Sequence, residues 1–289
     1  MLLNKNLDVS IVSANYNNAP YLEVFLNSIL ESTYLPKEII IVDDKSTDNS
    51  LDILSKYSMS YDIITVIKLE NNQGFAKALN IGLEKATGKY VARIDPDDCM
   101  HPQRIEKQYF YLTNHPSITA IGSNAFYFKH SIKNQLFKSN FPVNTQIIHD
   151  RYLKGEHGLL HGTVMIKSDI IKLYQYRQKN VPAEDYDIFS RILRDGHIFF
   201  NFKECLTGVR IHSNSVSNSL PYSTIKKTYD LRKEIFNKST PKIKIFIMYF
   251  HMKFYRKYLF EDNKVKAIYY LVISSIFRPD KVFRKFKIW

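Results

Sequence analysis

The stretch from Tyr90 to Met100 reads YVARIDPDDCM. Tyr90 to Ile94 fits a short buried strand, and three carboxylates, Asp95, Asp97 and Asp98, follow directly, with Pro96 restraining the turn. Like charges this close raise one another's pKa unless a cation or hydrogen-bond donors balance them. A hard divalent cation with oxygen ligands does so, and magnesium or manganese keeps diphosphate oxygens in its remaining positions. A solvated acidic turn that caps a helix starting near Pro102 is the competing reading, and the place at a strand end disfavours it.

The pattern extends in both directions. Upstream, Val9 to Ser13 (VSIVS) reads as a strand ending in the polar loop Asn15 to Asn18. Pro20 suits a first helical turn, and Leu22, Phe25, Leu26, Ile29 and Leu30 recur with helical spacing. Glu38 to Val42 (EIIIV) is a second strand that stops at Asp43 and Asp44; a helix from about Asn49 to Tyr57 and a strand Ile63 to Leu69 follow. Gly74 opens a helix to about Lys85, which Gly88 ends. Apolar strands alternating with helices predict a parallel sheet covered on both faces, with ligands beyond the carboxyl ends of the strands. Asn15, Asp43 with Asp44, and Asp95 to Asp98 all fall at such ends.

Downstream, the spacing predicts a helix over Pro102 to Leu112, strands over Ile118 to Phe128 and Leu159 to Ile166, a helix over Ala183 to Arg194 ended by Gly196, and strand over most of His197 to Arg210. This half completes the sheet and forms the far wall of a cleft. Ser213 to Ser223, rich in Ser and Asn, reads as a loop, and two or three basic helical segments come after it.

The 289 residues are 45% apolar and 24% charged, which implies a packed core and argues against global disorder. Two cysteines, Cys99 and Cys205, supply neither a disulfide framework nor a cysteine zinc site and fit a reducing compartment. Met1 to Ser10 lacks the apolar stretch of a signal peptide, and no run of 18 apolar residues predicts a membrane span. The net charge is +13, and Lys226 to Trp289 holds 17 Lys or Arg against 5 Asp or Glu. The basic character therefore belongs to the tail, which suits nucleic acid, an anionic membrane surface or an acidic partner.

Other segments carry candidate chemistry. In Ile41 to Ser50 (IVDDKSTDNS), Asp43 and Asp44 can accept hydrogen bonds from a ribose or a base, while Thr47 and Asp48 read as caps of the next helix. In Asn71 to Gly82 (NNQGFAKALNIG), Gly74 starts a helix whose exposed N–H groups favour anions, and Lys77, one turn in, can reach a diphosphate or remain a surface lysine. The glycine spacings of a P-loop or dinucleotide fingerprint are absent. Glu184 and Asp185 lie at a helix start, where carboxylates stay ionised; a general base and an ordinary cap are both open for Asp185. His212 follows Arg210 at a strand end, and the shared face favours an anion or a metal.

Taken in order, VSIVSANYNN (Val9 to Asn18), IVDDKSTDNS, NNQGFAKALNIG, RIDPDDCMHP, the segment Glu184 to Arg194, and VRIHSNSVS (Val209 to Ser217) resemble the family 2 inverting glycosyltransferases over about residues 7 to 217. The resemblance implies the GT-A fold: a single Rossmann-like mixed α/β sheet flanked by helices, here over 1–220, with a basic amphipathic helical appendix over 221–289. It implies that Ala14, Asn15, Asp43 and Asp44 hold the nucleoside, usually uridine. Asp95 contacts the ribose or a metal-bound water, and Asp97, with Asp98 adjacent, ligates Mn2+ or Mg2+. Gly74, Lys77 and His212 lie near the diphosphate, with His212 also a candidate ligand of the metal. Asp185 is the general base, and His161, Gly162 and Glu184 line the acceptor side. Two positions depart from the family pattern: Lys45 replaces the usual glycine of the aspartate turn, and Pro96 replaces a small polar residue.

The implied reaction is direct displacement, in which Asp185 deprotonates an acceptor hydroxyl as it attacks the anomeric carbon of a nucleotide sugar. Glycan or lipid-linked acceptors of bacterial capsule or lipopolysaccharide suit a cytoplasmic enzyme whose tail meets the inner face of the membrane. In the tail, Ile243 to Tyr258 and Lys264 to Phe277 mix aromatics with cations, and Lys281, Arg284, Lys285 and Lys287 alternate with Val282, Phe283, Phe286, Ile288 and Trp289. The same helices can instead pack on the main domain or form a homo-oligomer. A metal-dependent nucleotidyltransferase is the rival enzyme class, but Ser13 to Asn18 has neither the glycine nor the basic residue of its loop. A nucleic-acid-binding protein would have no use for the acid cluster, so no nucleic acid is expected.

Overall fold

The computed structural model describes residues 6–212, 221–261, 263–280 and 282. The chain divides into two compact units, Met1–Ile211 and His212–Trp289.

The first unit is built on one nine-stranded mixed sheet. Strand β1 (Leu7–Asn15) runs parallel to β2 (Pro36–Asp43) on one side and to β4 (Tyr90–Arg93) on the other, and β3 (Ile64–Lys68) extends the sheet beyond β2. Of the nine residues of β1 only Asp8 is exposed, so the strand reads as an unbroken apolar run, as covering on both faces requires. Helices α1 (Ala19–Leu30), α2 (Ser50–Ser60) and α3 (Phe75–Lys85) make the crossovers; α1 buries Leu22, Phe25, Leu26 and Ile29 against the sheet. The strand order turns about β1, with β2 to one side and β4 to the other, so the ends of these three strands open onto one crevice.

Beyond β4 the sheet becomes mixed. A two-residue β5 (Cys99–Met100) pairs with the long β9 (Ile198–Arg210), which runs parallel to β6 (Ile118–Phe128); β6 also pairs antiparallel with β7 (Gln135–Lys138) and β8 (Met165–Lys167). Four helices complete the unit: α4 (Arg104–Asn114), α5 (Thr145–Leu153), α6 (Ser168–Tyr174) and α7 (Glu184–Arg194).

One expected strand is mostly not one. Of Leu159 to Ile166 only Met165 and Ile166 lie in β8, and His161–Thr163 forms a 3-10 turn. Side chains of α4 take the hydrogen bonds a sheet partner would otherwise make: Arg104 Nη1 donates to Gly162 O (3.1 Å) and Gln108 Nε2 to Thr163 O (2.8 Å). Elements β5, β7, α5 and α6 were not anticipated.

In the second unit, α8 (Tyr222–Phe236) and α9 (Lys242–Phe260) enclose a small core of Ile225, Tyr229 and Ile245. Helix α10 (Lys264–Phe277) packs on α9 through stacked Phe250 and Phe277 rings and a buried pair in which Ser274 Oγ lies 2.9 Å from His251 Nδ1. Tyr222 and Ser223, read as loop, begin α8. Residues 213–220, Lys281 and residues 283–289 lie outside the described residues. No helix among the described residues is long and apolar enough to cross a membrane.

Gly88 sets the approach of the α3–β4 turn to β1. Its N–H donates to Ser10 Oγ (2.8 Å), its carbonyl accepts from Ser168 Oγ, and an added Cβ would lie 2.6 Å from Ser10 N and 2.8 Å from Val9 C. These neighbours are strand backbone and cannot swing away. Gly88→Ala is therefore expected to destabilise the fold by about 2 kcal/mol, the range for overpacking a tight site. The midpoint of chemical denaturation measures it, and an unchanged midpoint would show that the turn moves off β1 at no cost.

Candidate active site

The acid cluster is held from three directions. Asp95, Asp97 and Asp98 follow β4 directly, and their nearest oxygens lie within 4.8 Å of one another. Asp98 is buried; its Oδ1 accepts the Arg210 backbone N–H (2.9 Å), while Arg210 Nε donates to Asp97 O (3.0 Å). The Arg210 guanidinium is in turn sandwiched by Phe128 (4.6 Å) and Tyr21 (5.0 Å). Burial, and after it Asp97 and Asp95, push the Asp98 carboxyl well above the ordinary range. The third direction is Arg93, buried at the end of β4, which forms a two-point ion pair with Asp95 and lies 5.2 Å from the Phe75 ring centre.

Gly162 closes over this cluster. An added Cβ there would lie 3.3 Å from Asp95 Oδ2, 3.4 Å from Arg93 Nη1 and 3.5 Å from Asp98 Oδ2. The 3-10 turn is pinned by Arg104, which is fully buried and also donates through Nη2 to Arg93 O (2.7 Å). Burial and the nearby Arg93 charge push Arg104 down to about 9, which leaves it charged at neutral pH. Gly162, assigned to the acceptor side, thus lies against the acids.

The residues expected at the nucleoside form a hydrogen-bonded network. Asn15 Nδ2 donates to Asp43 Oδ2 (2.7 Å); the buried Asp43 also accepts from Ser46 N (2.9 Å) and Ser46 Oγ (2.6 Å). Ala14, in β1 beside them, is buried. Asp44 accepts from the backbone N–H of Gln73 (2.6 Å) and Gly74 (2.8 Å), fixing the loop before α3. Lys45 has φ +63°, a left-handed conformation that glycine adopts more easily. Asp48 bridges two helix starts, accepting from Ala19 N (3.0 Å) and Ser50 N (3.0 Å), whereas Thr47 N donates to Asn17 Oδ1.

The start of α3 is a correction. Its N–H groups were read as open to an anion, but Gln178 Oε1 accepts from Ala76 N (3.1 Å) and Lys77 N (3.2 Å), and Asp44 takes Gly74 N. The Lys77 side chain on this helix is exposed. His212, two residues past Arg210, begins the second unit and is half-buried.

The opposite wall starts α7. Asp185 Oδ1 accepts from Tyr186 N (2.7 Å), and His157 Nε2 lies 3.2 Å from its Oδ2. Burial acts to raise the Asp185 pKa, but the charge and hydrogen bond of His157 outweigh it and hold the carboxyl below its ordinary range. Beside it, burial and then Asp185 raise Glu184 to about 7; Arg93 and Asp95 also act on Glu184, so the start of α7 shares a field with the acid cluster. His161, placed here by Gly162's turn, meets Tyr176 OH at 2.7 Å, and burial followed by Arg93 keeps the imidazole neutral.

The sequence alone assigns no role to Arg93, Arg104, Gln108, His157, Tyr176 or Gln178. Arg93 had a visible signal, a cation inside an apolar strand and two residues before Asp95. The others act across long sequence separations, and only the spacing of His157 and His161 in EHGLLHG hinted at a shared surface.

The family model described as Glycosyl transferase family 2 matches residues 10–174. The amylovoran biosynthesis glycosyltransferase AmsE of Erwinia amylovora is 30% identical over 210 residues, covering 73% of this chain and 78% of its own. The O-antigen biosynthesis glycosyltransferase WbnJ of Escherichia coli is 28% identical over 222 residues, covering 73% and 82%. Among solved structures, the mannosyltransferase PcManGT of Pyrobaculum calidifontis, in complex with GDP-Man and Mn2+, shares the fold with a TM-score of 0.60 at 19% identity, over 94% of this chain and 76% of its own. The family match spans more than half of the chain and includes the acid cluster at the switch point of the sheet, and so this chain belongs to glycosyl transferase family 2, as a GT-A-fold glycosyltransferase that acts on nucleotide-sugar donors.

Proposed function

We propose that this protein transfers a sugar, with inversion at the anomeric carbon, from a nucleotide sugar to a hydroxyl of a glycan or lipid-linked acceptor of a bacterial surface polysaccharide. The observation that carries this is the facing of two charged walls: Asp185 and Glu184 at the start of α7, and Arg93 with the three acids after β4. Uridine is the nucleoside the family resemblance implies, and the names of AmsE and WbnJ support the polysaccharide setting.

The donor set fits a hard divalent ion, Mn2+ or Mg2+. Three carboxylates converge, and burial with the neighbouring Asp97 and Asp95 pushes the Asp98 carboxyl up, a shift that a bound cation would oppose. Asp97 and Asp98 would hold the ion, with Asp95 near the ribose. When bound, it supplies positive charge where the diphosphate leaves. The chain's own groups do the rest. Asn15, Asp43 and Asp44 shape the nucleoside end, and Gly74 fixes the turn that presents Lys77, one cation available to phosphate. His212 is proposed as a further phosphate or metal contact. Gly162 leaves the space beside the acids that a side chain would fill, while His161 and Glu184 border the acceptor. Asp185, ionised, takes the proton from the attacking hydroxyl.

Asp97→Ala should abolish transfer and weaken Mn2+ binding measured by calorimetry, with the thermal midpoint unchanged. Wild-type Mn2+ affinity in this variant would remove Asp97 from the ligand set. Asp185→Asn should keep donor affinity but lower the transfer rate by about 100-fold or more, the range for positioned acid–base groups. A rate equal to wild type rules the base assignment out.

A second reading concerns the basic unit, and α10 carries it. Val265, Ile268, Tyr269, Val272 and Ile276 recur with helical spacing and are 55–78% exposed, a continuous apolar stripe. Exposed Lys264 and Lys266 border it. We propose that this face lies on an anionic membrane surface, which places the enzyme at the cytoplasmic leaflet beside a lipid-linked acceptor. A second copy of the chain is the competing occupant, yet it would bring one region of 17 cations and 5 acids against another. An anionic leaflet instead contributes about 1 kcal/mol per nearby cation. The full chain should co-sediment with phosphatidylserine vesicles at low salt and not with neutral ones, and Ile268→Asn with Val272→Asn should abolish this. Solution dimers that the double variant dissociates, with no vesicle binding by the wild type, would favour the second copy.

A further inference from the structure

We infer that His157 is the positioning residue of Asp185 and that the acid limb of the pH–rate profile belongs to His157. The inference rests on the reading of Asp185 as the base. His157 Nε2 lies 3.3 Å from Asp185 Oδ1 and 3.2 Å from Oδ2, astride both oxygens, while Tyr186 N fixes Oδ1 from the other side. The imidazole is confined by Tyr152 of α5 (6.4 Å, edge-on) and Tyr186 of α7 (5.7 Å, edge-on), and remains 38% exposed. A ring so held can donate one N–H to the carboxylate and exchange its other proton with water.

The two protonation states of His157 do different things. Neutral His157, with its proton on Nε2, orients the carboxylate and leaves a basic oxygen for the acceptor hydroxyl. In the transfer step the acceptor O–H proton passes to that oxygen, the new C–O bond forms, and the anomeric C–O bond breaks with its electron pair leaving on the nucleoside diphosphate. Protonated His157 forms an ion pair with Asp185 instead and lowers the carboxylate's affinity for the acceptor proton. Rate is therefore present at the pH where His157 is neutral and is lost as pH falls through its titration. Asp185 is held below its ordinary range by that same imidazole.

The groups that face His157 are Asp185 and Tyr186 from α7, Tyr152 from α5, and His161 from the 3-10 turn, whose imidazole burial keeps neutral. Glu184, next to Asp185 and raised to about 7, can give the same limb. The experiment therefore compares variants at both positions.

The kcat of the full chain at saturating donor and Mn2+ is measured from about pH 5 to 9 for wild type, His157→Gln, His157→Ala and Glu184→Gln, with donor affinity by calorimetry as the check of folding. His157→Ala should lower kcat about 10-fold or more with donor affinity unchanged, as expected for a lost transition-state orientation and not lost binding. His157→Gln keeps an N–H donor near the place of Nε2 but cannot titrate, so it should recover part of kcat and flatten the acid limb. Glu184→Gln should retain the limb. A wild-type limb in His157→Gln, or its loss in Glu184→Gln alone, overturns the inference. If Asp185→Asn is inactive while both His157 variants match wild type, only the role of His157 fails; if Asp185→Asn is fully active, the base reading fails with it.

Discussion

The Arg104 guanidinium, fully buried between α4 and the sheet, is the interaction on which the site depends. Its hydrogen bonds go to Arg93 O, Gly162 O and the Gln108 side chain, so a single cation ties the end of β4 to the turn over the acids. Gln108 extends the same clamp to Ile121 O of β6 and to Thr163 O. A buried charge is costly unless its donors are satisfied, and here carbonyl dipoles satisfy them without a direct carboxylate partner.

Charge is distributed outward from that clamp. Arg93 neutralises Asp95, the Arg210 backbone stabilises Asp98, and the Arg210 side chain is stacked between aromatic rings. On the other wall, His157 keeps Asp185 ionised while burial keeps Glu184 closer to its neutral form. The two adjacent carboxyls are thus pushed in opposite directions by their surroundings.

Most of the fold was legible in the sequence because strands covered on both faces read as continuous apolar runs. β1 and β2 show this, and α1 and α3 show the helical period between them. Leu159 to Ile166 has the same apolar look, yet its carbonyls are satisfied by α4 side chains about 55 residues away, which no local pattern records. The acids were legible because they end strands. Their partners were not: Gln178 reaches α3 across about 100 residues, and His157 reaches Asp185 across 28. Such contacts follow from the closure of the sheet and leave no periodic trace.

Lys45 carries a consequence for how this protein can change. Its left-handed backbone disfavours a side chain by roughly 1–2 kcal/mol relative to glycine, and the residue sits in the turn in which Ser46 is hydrogen-bonded to Asp43. A cation is thus kept in the aspartate turn against local conformational preference. Stability and charge are opposed at this one position, and selection for a sturdier enzyme and selection for a different donor would pull it in opposite directions.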